Sequence, residues 1–569
     1  MAPTAVPDVG IDGKRERWAT ADGGTLSDPY RQLLAAVQGA SDECPFRPLN
    51  GRYDGCWSER LKTLLIALTL LPLRLLGLVL TVVFGLLLLK LAVVGLSASH
   101  FDLGTAQPLA RWRRFLLGGV RFLARVQLLA LGFWWIEERF DDDGRTASQR
   151  LRTNYLGLLG ASAAPILVSN HVSLFETLYF YARFAPSFLA KAEVRDMPVF
   201  GSVVEASSAI FVQRSEAKSR ANVRNEILRR AQQFPPGSWP PLVVFPEQTT
   251  TNGTAVVFFK TGGAFSPGLP VQPVAIRYPY RNFHPGMVGD VGIARSALHM
   301  CLQLYNRMQV RYLPVRQPSA AERGHPHWFA ERVRTDIARA LEVPVTLHDL
   351  TDVWFQKAAY DVGALAIAPG MNVELRRYAG WIAPLTAGDA APAATVEEIV
   401  REFVAGAGVQ ATAVTDPLQL CGALWREQHK AAAWEQLLAA AVGDEGSWVA
   451  AGARSLFACF DVTRCGRVHF RDYVVVRLFL QHWLQQRECA DEIWRHWFAA
   501  DAVATGCLWE RNHVDAASER CLTALFDTAK WRLSPEMFAA AVSQHWLAAS
   551  LLAAPLLPKA ELANARAEP

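Results

Sequence analysis

Apolar residues dominate one long stretch near the N-terminus, where residues 63–98 contain only two charged side chains, Arg74 and Lys90. A helix needs about 20 apolar residues to cross a bilayer, and residues 75–95 reach that length if the Lys90 side chain extends towards the headgroups. Pro72 is expected to bend the chain just before them. Two shapes fit, a single spanning helix or a hairpin that enters the membrane and returns. Basic residues on both flanks favour the hairpin, because loops rich in Lys and Arg tend to stay cytoplasmic.

A second apolar stretch, residues 115–136, is interrupted by Arg121 and Arg125. These arginines are four positions apart and therefore lie on one face of a helix. The pattern predicts a helix in the membrane interface, with Trp134 and Trp135 at the level of the headgroups. The alternative is a buried helix of a soluble domain whose arginines are exposed.

Short β-like runs alternate with helical patterns from about residue 150 to residue 345. This alternation predicts an α/β domain with a largely parallel sheet. The predicted strands are residues 165–169, 209–213, 242–245 and 271–277. A helix is predicted over residues 216–233, with Ser215 as its N-cap. In such domains the functional site lies at the carboxyl ends of the strands.

After about residue 355 the pattern becomes helical and rich in Ala, Leu and Trp. Within it, residues 461–472 resemble the calcium-binding loop of an EF-hand, and Asp461, Thr463 and Asp472 are the candidate calcium ligands. Gly466 takes the position of the sharp turn.

This loop departs from a calcium site because Cys465 stands where an oxygen ligand is needed, and Arg464 and Arg467 repel a cation. A second candidate, residues 501–512, has even fewer oxygens. We therefore expect a degenerate EF-hand-like pair that serves packing or regulation, with little or no calcium affinity.

Composition supports a membrane association. Hydrophobic residues make up 51% of the 569 residues, and the net charge of +5 does not favour nucleic acid as a partner. The basic residues instead cluster on both sides of the first apolar stretch, which suits an anionic membrane surface. These clusters are Arg52, Arg60 and Lys62 before it and Arg111, Arg113 and Arg114 after it.

The cysteines and the N-terminal segment indicate a reducing compartment and no secretion signal. Nine cysteines are scattered without paired spacings, which argues against a disulfide framework. Residues 1–56 are polar and have no apolar core of the kind that a signal peptide needs. We expect them to form a flexible tail.

Candidate chemistry begins at His171, which follows the first predicted strand, with Glu176 five positions later. A carboxylate can hold an imidazole in one tautomer, and the free ring nitrogen can then accept a proton from an alcohol. The spacing therefore predicts a general base, His171, oriented by Glu176.

Three further segments follow in order. Residues 209–214 are a β-rich run that ends in Arg214, and residues 241–253 join a buried strand to a turn rich in hydroxyls. Residues 259–277 begin with Phe259-Lys260-Thr261-Gly262-Gly263 and end in another apolar strand. Together with the His171 segment, they resemble the glycerolipid acyltransferase family with the H-x4-D signature. The closest resemblance is to lysophosphatidylcholine acyltransferases that carry an EF-hand region after the catalytic domain.

The resemblance implies acyl transfer from acyl-CoA, a co-substrate, to the hydroxyl of a lysophospholipid, with no metal or redox cofactor. It also assigns substrate-binding roles, which fall on Arg214 as a phosphate contact, on Glu247, Gln248, Thr249 and Thr250 as part of the acceptor site, and on Lys260 near the coenzyme A phosphates. Backbone N–H groups of residues 247–253 are candidate donors to the oxyanion.

The chain departs from the family pattern at three positions. Glu176 replaces an Asp, and Gln248 replaces a Gly, where it could block a backbone angle that Gly adopts easily. Thr250 stands where members acting on phosphatidate precursors have Arg. Loss of that cation favours an acceptor with a phosphodiester headgroup, such as lysophosphatidylcholine or lysophosphatidylethanolamine.

The predicted organisation has four parts: a flexible tail (1–56), a membrane-embedded hairpin or helix with an interfacial helix (57–140), an α/β acyltransferase domain (141–350) and an all-α, degenerate EF-hand-like domain (351–569). We expect an integral or monotopic protein of the endoplasmic reticulum with a cytosolic catalytic domain, and a protein partner could bind the C-terminal helices. Two alternatives are an enzyme acting on lysophosphatidic acid or glycerol-3-phosphate and a catalytically silent membrane scaffold.

Overall fold

The computed structural model describes residues 33, 44–49, 57–96, 102–141, 166–191, 207–212, 217–234, 238–288, 292–364, 373–378, 393–408, 413–417, 419–420, 454, 456–461 and 465–484. The chain divides into two compact units, one of residues 45–353 and the other of residues 1–44 together with 354–569. The first unit combines the predicted membrane segment with the predicted α/β domain.

The first apolar stretch forms one continuous helix, α1 (Trp57–Val93), which includes Pro72 without a break. Within the described part of the chain, α1 is the one helix that is long and apolar enough to cross a membrane by length and composition. The hairpin favoured by the flanking charges is therefore not formed inside this stretch. The second apolar stretch forms α2 (Arg111–Ala130), which ends before Trp134 and Trp135, so these exposed side chains follow the helix instead of belonging to it.

The helices α1 and α2 pack against each other in opposite directions. At one end, Arg113 of α2 donates hydrogen bonds to the carbonyl oxygens of Ala92 (2.6 Å) and Val94 (2.9 Å). Further along, a Cβ at Gly119 would lie 3.0 Å from a methyl group of Leu88, so glycine permits the close approach of the two helices.

The α/β part of the first unit is a seven-stranded sheet with helices on both faces. Its elements are β1 (Ile136–Phe140), β2 (Ile166–Ser169), α3 (Phe175–Phe184), β3 (Ser187–Lys191), β4 (Ile210–Val212), α4 (Ala217–Gln232), β5 (Leu242–Val244), α5 (Gly262–Phe265), β6 (Val271–Arg277), α6 (Ile293–Cys301), β7 (Met308–Tyr312), α7 (Ala320–Gly324) and α8 (Pro326–Leu341). The strand order is β1-β7-β6-β2-β5-β3-β4, in which β6 and β7 are antiparallel and the other neighbours are parallel. The α/β class is thus confirmed, with a mixed sheet. A further helix, α9 (Leu350–Asp361), follows α8.

The strands alternate their side chains between two apolar layers, as a sheet covered on both faces requires. In β2, Ile166 and Val168 join a cluster that includes Phe329 of α8. The intervening Leu167 joins the opposite cluster with Phe180 of α3. The helices α4, α5 and α8 therefore cover one face of the sheet, and α2, α3 and α6 cover the other. The helix α1 also packs against this second layer.

All four predicted strands are present, and β6 matches its predicted bounds in full. The strands β1, β3 and β7 were not predicted. The first of them, Ile136–Phe140, follows α2 closely and has the polar sequence IEERF, which carries no strand alternation. The predicted N-cap Ser215 lies outside the described residues.

The second unit contains a 3₁₀ turn (Leu375–Tyr378), α10 (Ala393–Ala407), β8 (Ala413–Val414), β9 (Val468–His469) and α11 (Phe470–Leu484). The strands β8 and β9 pair antiparallel. A buried ion pair joins the two helices, because Arg477 Nε of α11 donates to Glu402 of α10 at 2.5 Å. The EF-hand-like loop thus pairs with residues 413–414, a partner that the sequence did not indicate. The second predicted loop, residues 501–512, lies outside the described residues.

Candidate active site

The loop after β2 is held against the sheet by Asn170, which is 2% exposed. Its side-chain amide donates to the carbonyl oxygen of Ile276 (2.9 Å), and its side-chain oxygen accepts from the N–H of the same residue (2.8 Å). This pair of bonds continues the β2–β6 ladder by one residue and fixes the backbone from which the next residue, His171, projects.

Glu176 lies in the first turn of α3 and is fully buried. One carboxylate oxygen is 3.1 Å from Nδ1 of His171, so the structure brings the two residues together. The same carboxylate accepts the backbone N–H groups of Val172 (3.0 Å) and Ser173 (2.9 Å). Backbone N–H groups favour the ionised form of a carboxyl group. An ionised carboxylate at Nδ1 places the ring proton there and leaves Nε2 as the basic atom.

The backbone of His171 is bonded on both sides to the loop after β5. Its N–H donates to Glu247 Oε2 at 3.0 Å, and its carbonyl oxygen accepts from the N–H of Thr251 at 2.8 Å. The imidazole stacks on Phe245, with the ring centroids 4.2 Å apart. Both the side-chain packing and the backbone bonds therefore fix the position of the His171 ring. The side chain remains 14% exposed.

Glu247 is buried, and it contacts the backbone of His171. Burial raises the pKa of the Glu247 carboxyl well above its usual range, while the hydrogen bond from His171 acts in the opposite direction and the charge of Glu176 adds to the rise. Glu247 therefore keeps its proton to a higher pH than an exposed Glu.

Gln248 adopts the left-handed backbone conformation, with φ of 60°. The angle that the family's Gly adopts easily is thus adopted here by a residue with a Cβ. The left-handed region costs an L-residue about 1–2 kcal/mol relative to the right-handed one. Gln248 therefore carries local strain directly beside Glu247, and such strain tends to concentrate at functional sites.

We expect the free energy of unfolding of Gln248→Gly to exceed that of Thr249→Gly by about 1 kcal/mol, because both changes add flexibility to the unfolded chain but only the first removes this steric cost. Thermal unfolding of the purified protein in detergent measures the change. Thr249→Gly is the matched control, since Thr249 has no positive φ and Gly there can only add flexibility to the unfolded chain. If the Gln248→Gly variant were no more stable than the Thr249→Gly variant, the conformation of Gln248 would not be strained.

The other predicted substrate-binding residues differ in their surroundings. The hydroxyl of Thr250 donates to the carbonyl oxygen of Met287. Lys260 forms an ion pair with Asp349 at 3.1 Å, and its side chain is 11% exposed. Arg214 lies outside the described residues. The side chains of Thr250 and Lys260 are thus both bonded to other residues of the first unit.

Tyr278 is a site residue that the sequence did not indicate. It is buried directly after β6, and its ring packs on Phe133 with centroids 6.0 Å apart. Burial raises the pKa of the Tyr278 hydroxyl, and the neighbouring Glu176 carboxylate raises it further. The sequence offered one signal for Tyr278, its position directly after the predicted strand β6. His171 and Glu247 likewise follow the ends of β2 and β5, at the same edge of the sheet.

The EF-hand-like loop holds its shape through Asp461, whose carboxylate accepts the N–H groups of Cys465 (3.1 Å) and Gly466 (2.8 Å). Gly466 has φ of 72°, as its place at the sharp turn requires. Within the described part of the chain, no group of three or more His, Cys, Asp or Glu residues is arranged to hold a metal ion. Thr463 lies outside that part.

Comparison with known proteins shows which family the chain is similar to. The model of the Acyltransferase family matches residues 149–277, which include His171, Glu176 and Glu247. Lysophosphatidylcholine acyltransferase 2B of Mus musculus is 30% identical over 431 residues, which cover 73% of this chain and 70% of that protein. The chain belongs to the acyltransferase family, and the resemblance indicated by the four ordered segments is confirmed.

Two further relatives are less completely covered. Lysophospholipid acyltransferase LPEAT2 of Arabidopsis thaliana is 30% identical over 59% of this chain, and lysophosphatidylcholine acyltransferase 1 of Homo sapiens is 34% identical over 57% of it. The chain spans 57% of the length of each of these two proteins. Among solved structures, the 1-acyl-sn-glycerophosphate acyltransferase PlsC of Thermotoga maritima matches at 15% identity with a TM-score of 0.32, over 50% of this chain and 96% of that one.

Proposed function

We propose that this chain transfers an acyl group from acyl-CoA to the free hydroxyl of a lysophospholipid that carries a headgroup. The contact of 3.1 Å between His171 Nδ1 and the buried Glu176 carboxylate is the observation that supports this most directly. It is the arrangement of a general base and its orienting acid, and it needs a hydroxyl supplied by the substrate. The names of the relatives suggest the class of acceptor.

In the proposed reaction, Nε2 of His171 takes the proton of the acceptor hydroxyl while the oxygen attacks the thioester carbonyl carbon. The tetrahedral intermediate then breaks its carbon–sulfur bond, and the imidazolium returns the proton to the departing thiolate of coenzyme A. Glu176 stabilises the imidazolium between these two steps. No acyl-enzyme and no metal or redox cofactor takes part in this scheme.

The oxyanion needs hydrogen-bond donors close to His171. In the turn after β5, the N–H groups of Gln248 and Thr251 are bonded within the protein, whereas those of Thr249 and Thr250 have no partner among the described residues. We infer that these two N–H groups face the reacting carbonyl, because fixed donors of this kind stabilise the charge that develops there. Glu247 would position His171 through its backbone instead of touching substrate.

The acceptor preference rests on charge. The hydroxyl of Thr250 is engaged with Met287 and provides no cation. Lys260 is paired with Asp349, which neutralises the positive charge that was expected to reach coenzyme A. A phosphodiester headgroup carries less negative charge than a phosphomonoester and requires fewer cations, so lysophosphatidylcholine and lysophosphatidylethanolamine remain the proposed acceptors, with Arg214 as the proposed phosphate contact.

The membrane attachment is proposed to be monotopic, because α1 is bonded to the α/β part of the first unit near its start and in its middle. Near its start, Glu59 accepts a hydrogen bond from Asn282 (3.2 Å). In the middle, the guanidinium of Arg74 donates to the carbonyl oxygens of Cys301 (2.6 Å) and Leu304 (2.8 Å), at the C-terminus of α6. A helix docked in this way presents only its outer, apolar side to lipid and lies against one leaflet. An endoplasmic reticulum location with the first unit in the cytosol completes the proposal.

The second unit is proposed to be a packing or regulatory module that binds a protein partner. Calcium binding is not part of the proposal, because Cys465 offers no oxygen ligand and Arg464 and Arg467 add positive charge to the loop.

The test of the proposed function is acyl transfer by the purified, detergent-solubilised full chain. Labelled acyl-CoA is supplied with lysophosphatidylcholine, lysophosphatidylethanolamine, lysophosphatidic acid or glycerol-3-phosphate, beside a His171→Ala control. We expect His171-dependent product with the first two acceptors. Product with only lysophosphatidic acid or glycerol-3-phosphate would support the acyl-transfer reaction but contradict the proposed class of acceptor. A folded protein inactive with all four would support the membrane scaffold instead.

A further inference from the structure

The connection between β6 and β7 exposes large apolar side chains that no role described so far explains. Five of them are between 42% and 53% exposed, namely Tyr280, Ile293, Leu298, Leu304 and Tyr305. Single exposed apolar residues are normal on a protein surface, but a concentration of them within one connection marks a site of interaction.

Cations accompany these apolar side chains. The connection carries Arg281, Arg295 and Arg307 against one acidic residue, Asp290. The guanidinium of Arg307 lies over the ring of Tyr305, 5.4 Å from its centroid. Tyrosines together with arginines and aliphatic residues suit the boundary between headgroups and acyl chains, where the rings bury their apolar part and the cations meet anionic headgroups.

The position of this connection also points to lipid. It is bonded to α1 at two places, through Glu59 with Asn282 and through Arg74 with the carbonyl oxygens of Cys301 and Leu304. The helix α6 packs on the same face of the sheet as α2 and α3. The two ends of the connection therefore lie beside α1, which exposes many Leu and Val side chains.

We propose that residues 280–288 and 292–307 form a second lipid-contacting surface, called the patch below, which enters the headgroup region of an anionic leaflet beside α1. The partner is a lipid surface, because the patch combines aliphatic and tyrosine side chains with an excess of arginine and continues the apolar side of a helix already suited to lipid. The lipid contact does not depend on the proposed acyl transfer.

The patch is connected directly to the candidate active site. The N–H of Met287 donates to the carbonyl oxygen of Val172 (3.0 Å), and the carbonyl oxygen of Met287 accepts from Thr250. The ring of His284 packs edge-on against the exposed Tyr280, with centroids 4.6 Å apart. Burial lowers the pKa of His284 to about 4, so at neutral pH its Nδ1 accepts the N–H of Gly286 (3.0 Å). If the proposed acyl transfer holds, a lipid at the patch stands next to the loop that carries His171.

Photocrosslinking tests the proposal without relying on activity. Leu304 is replaced by the photoreactive amino acid p-benzoylphenylalanine in the full chain, which is reconstituted in phosphatidylcholine vesicles with clickable phosphatidylserine. Vesicles are isolated by flotation before irradiation, so only membrane-bound protein is analysed. The matched control carries the same amino acid at Trp328, a large side chain that is 45% exposed on α8, on the opposite face of the sheet.

We expect a phospholipid adduct at position 304 and none above background at position 328. Arg295→Glu and Arg307→Glu, introduced together, should reduce the adduct at 304 several-fold in vesicles that contain phosphatidylserine. An absent adduct at 304, or equal adducts at 304 and 328, would overturn the second lipid contact. Because acyl transfer is not measured, failure here and failure of the proposed function are distinguishable.

Discussion

Replacing His171 by Ala is expected to lower kcat/KM for acyl transfer by roughly 10²- to 10⁴-fold, the usual contribution of a positioned general base. The loss should appear mainly in kcat, because the side chain acts on the proton that moves in the transition state. Steady-state kinetics with labelled acyl-CoA and lysophosphatidylcholine measures it. Activity within a few-fold of the unsubstituted protein would remove His171 from the reaction.

Two substitutions at Glu176 sharpen this expectation. Glu176→Asp restores the residue of the family signature but withdraws the carboxylate by about 1 Å from Nδ1 of His171 and from the N–H groups of Val172 and Ser173. A shift of that size can cost about 10²-fold in rate. Glu176→Gln keeps the length of the side chain but removes its charge. It should lower the rate more than Glu176→Asp does, because the imidazolium is no longer stabilised. An Asp variant as active as the unsubstituted protein would mean that the loop adapts to either length.

The second large effect is expected from Arg74→Met in α1. The change leaves carbonyl oxygens of Cys301, Gln303 and Leu304 without their donor, and hydrogen bonds to a charged group contribute about 1.5–3 kcal/mol each. Since such losses are not additive, we expect destabilisation by about 3 kcal/mol in total. Thermal unfolding in one detergent measures it.

Lys90→Met is the matched control, because it removes the other charge of the same apolar stretch at an exposed position. Its effect should stay within about 0.5 kcal/mol. The direction of the Arg74 effect separates two arrangements of α1. In a helix that crossed the bilayer by itself, removing an arginine from the apolar span would favour insertion by about 2.5–3.5 kcal/mol. A stabilised Arg74→Met variant would therefore contradict the docked helix.

Local patterns were sufficient for the elements that surround the site. Apolar runs ending in polar residues located β2, β5 and β6, and these strands end where His171 and Glu247 stand. The five-residue spacing of His171 and Glu176 was enough to expect their contact, since a loop followed by one helical turn brings such residues together.

Contacts between distant segments could not be predicted from one sequence. Arg74 looked like an interruption of an apolar stretch, and its partner at Cys301 lies 227 positions away. Arg121 and Arg125 were expected to face headgroups or solvent, but they donate to carbonyl oxygens such as those of Arg183 (2.6 Å) and Phe133 (2.9 Å). The guanidinium of arginine can donate either to backbone carbonyl oxygens or to phosphates, and the tertiary fold decides which of them it meets.

The attachment of His171 to the loop after β5 bears on which positions around the candidate active site can vary. The loop holds the histidine through the carboxylate of Glu247 and the backbone N–H of Thr251, and neither bond uses the side chain of residue 248, 249 or 250. Residue 249 can therefore change identity without disturbing these bonds, whereas the positive φ restricts residue 248 and the bond to Met287 restricts residue 250. Under the proposed function, selection or a library of variants can alter the surface offered to the headgroup at residue 249 while the bonds that hold His171 stay intact.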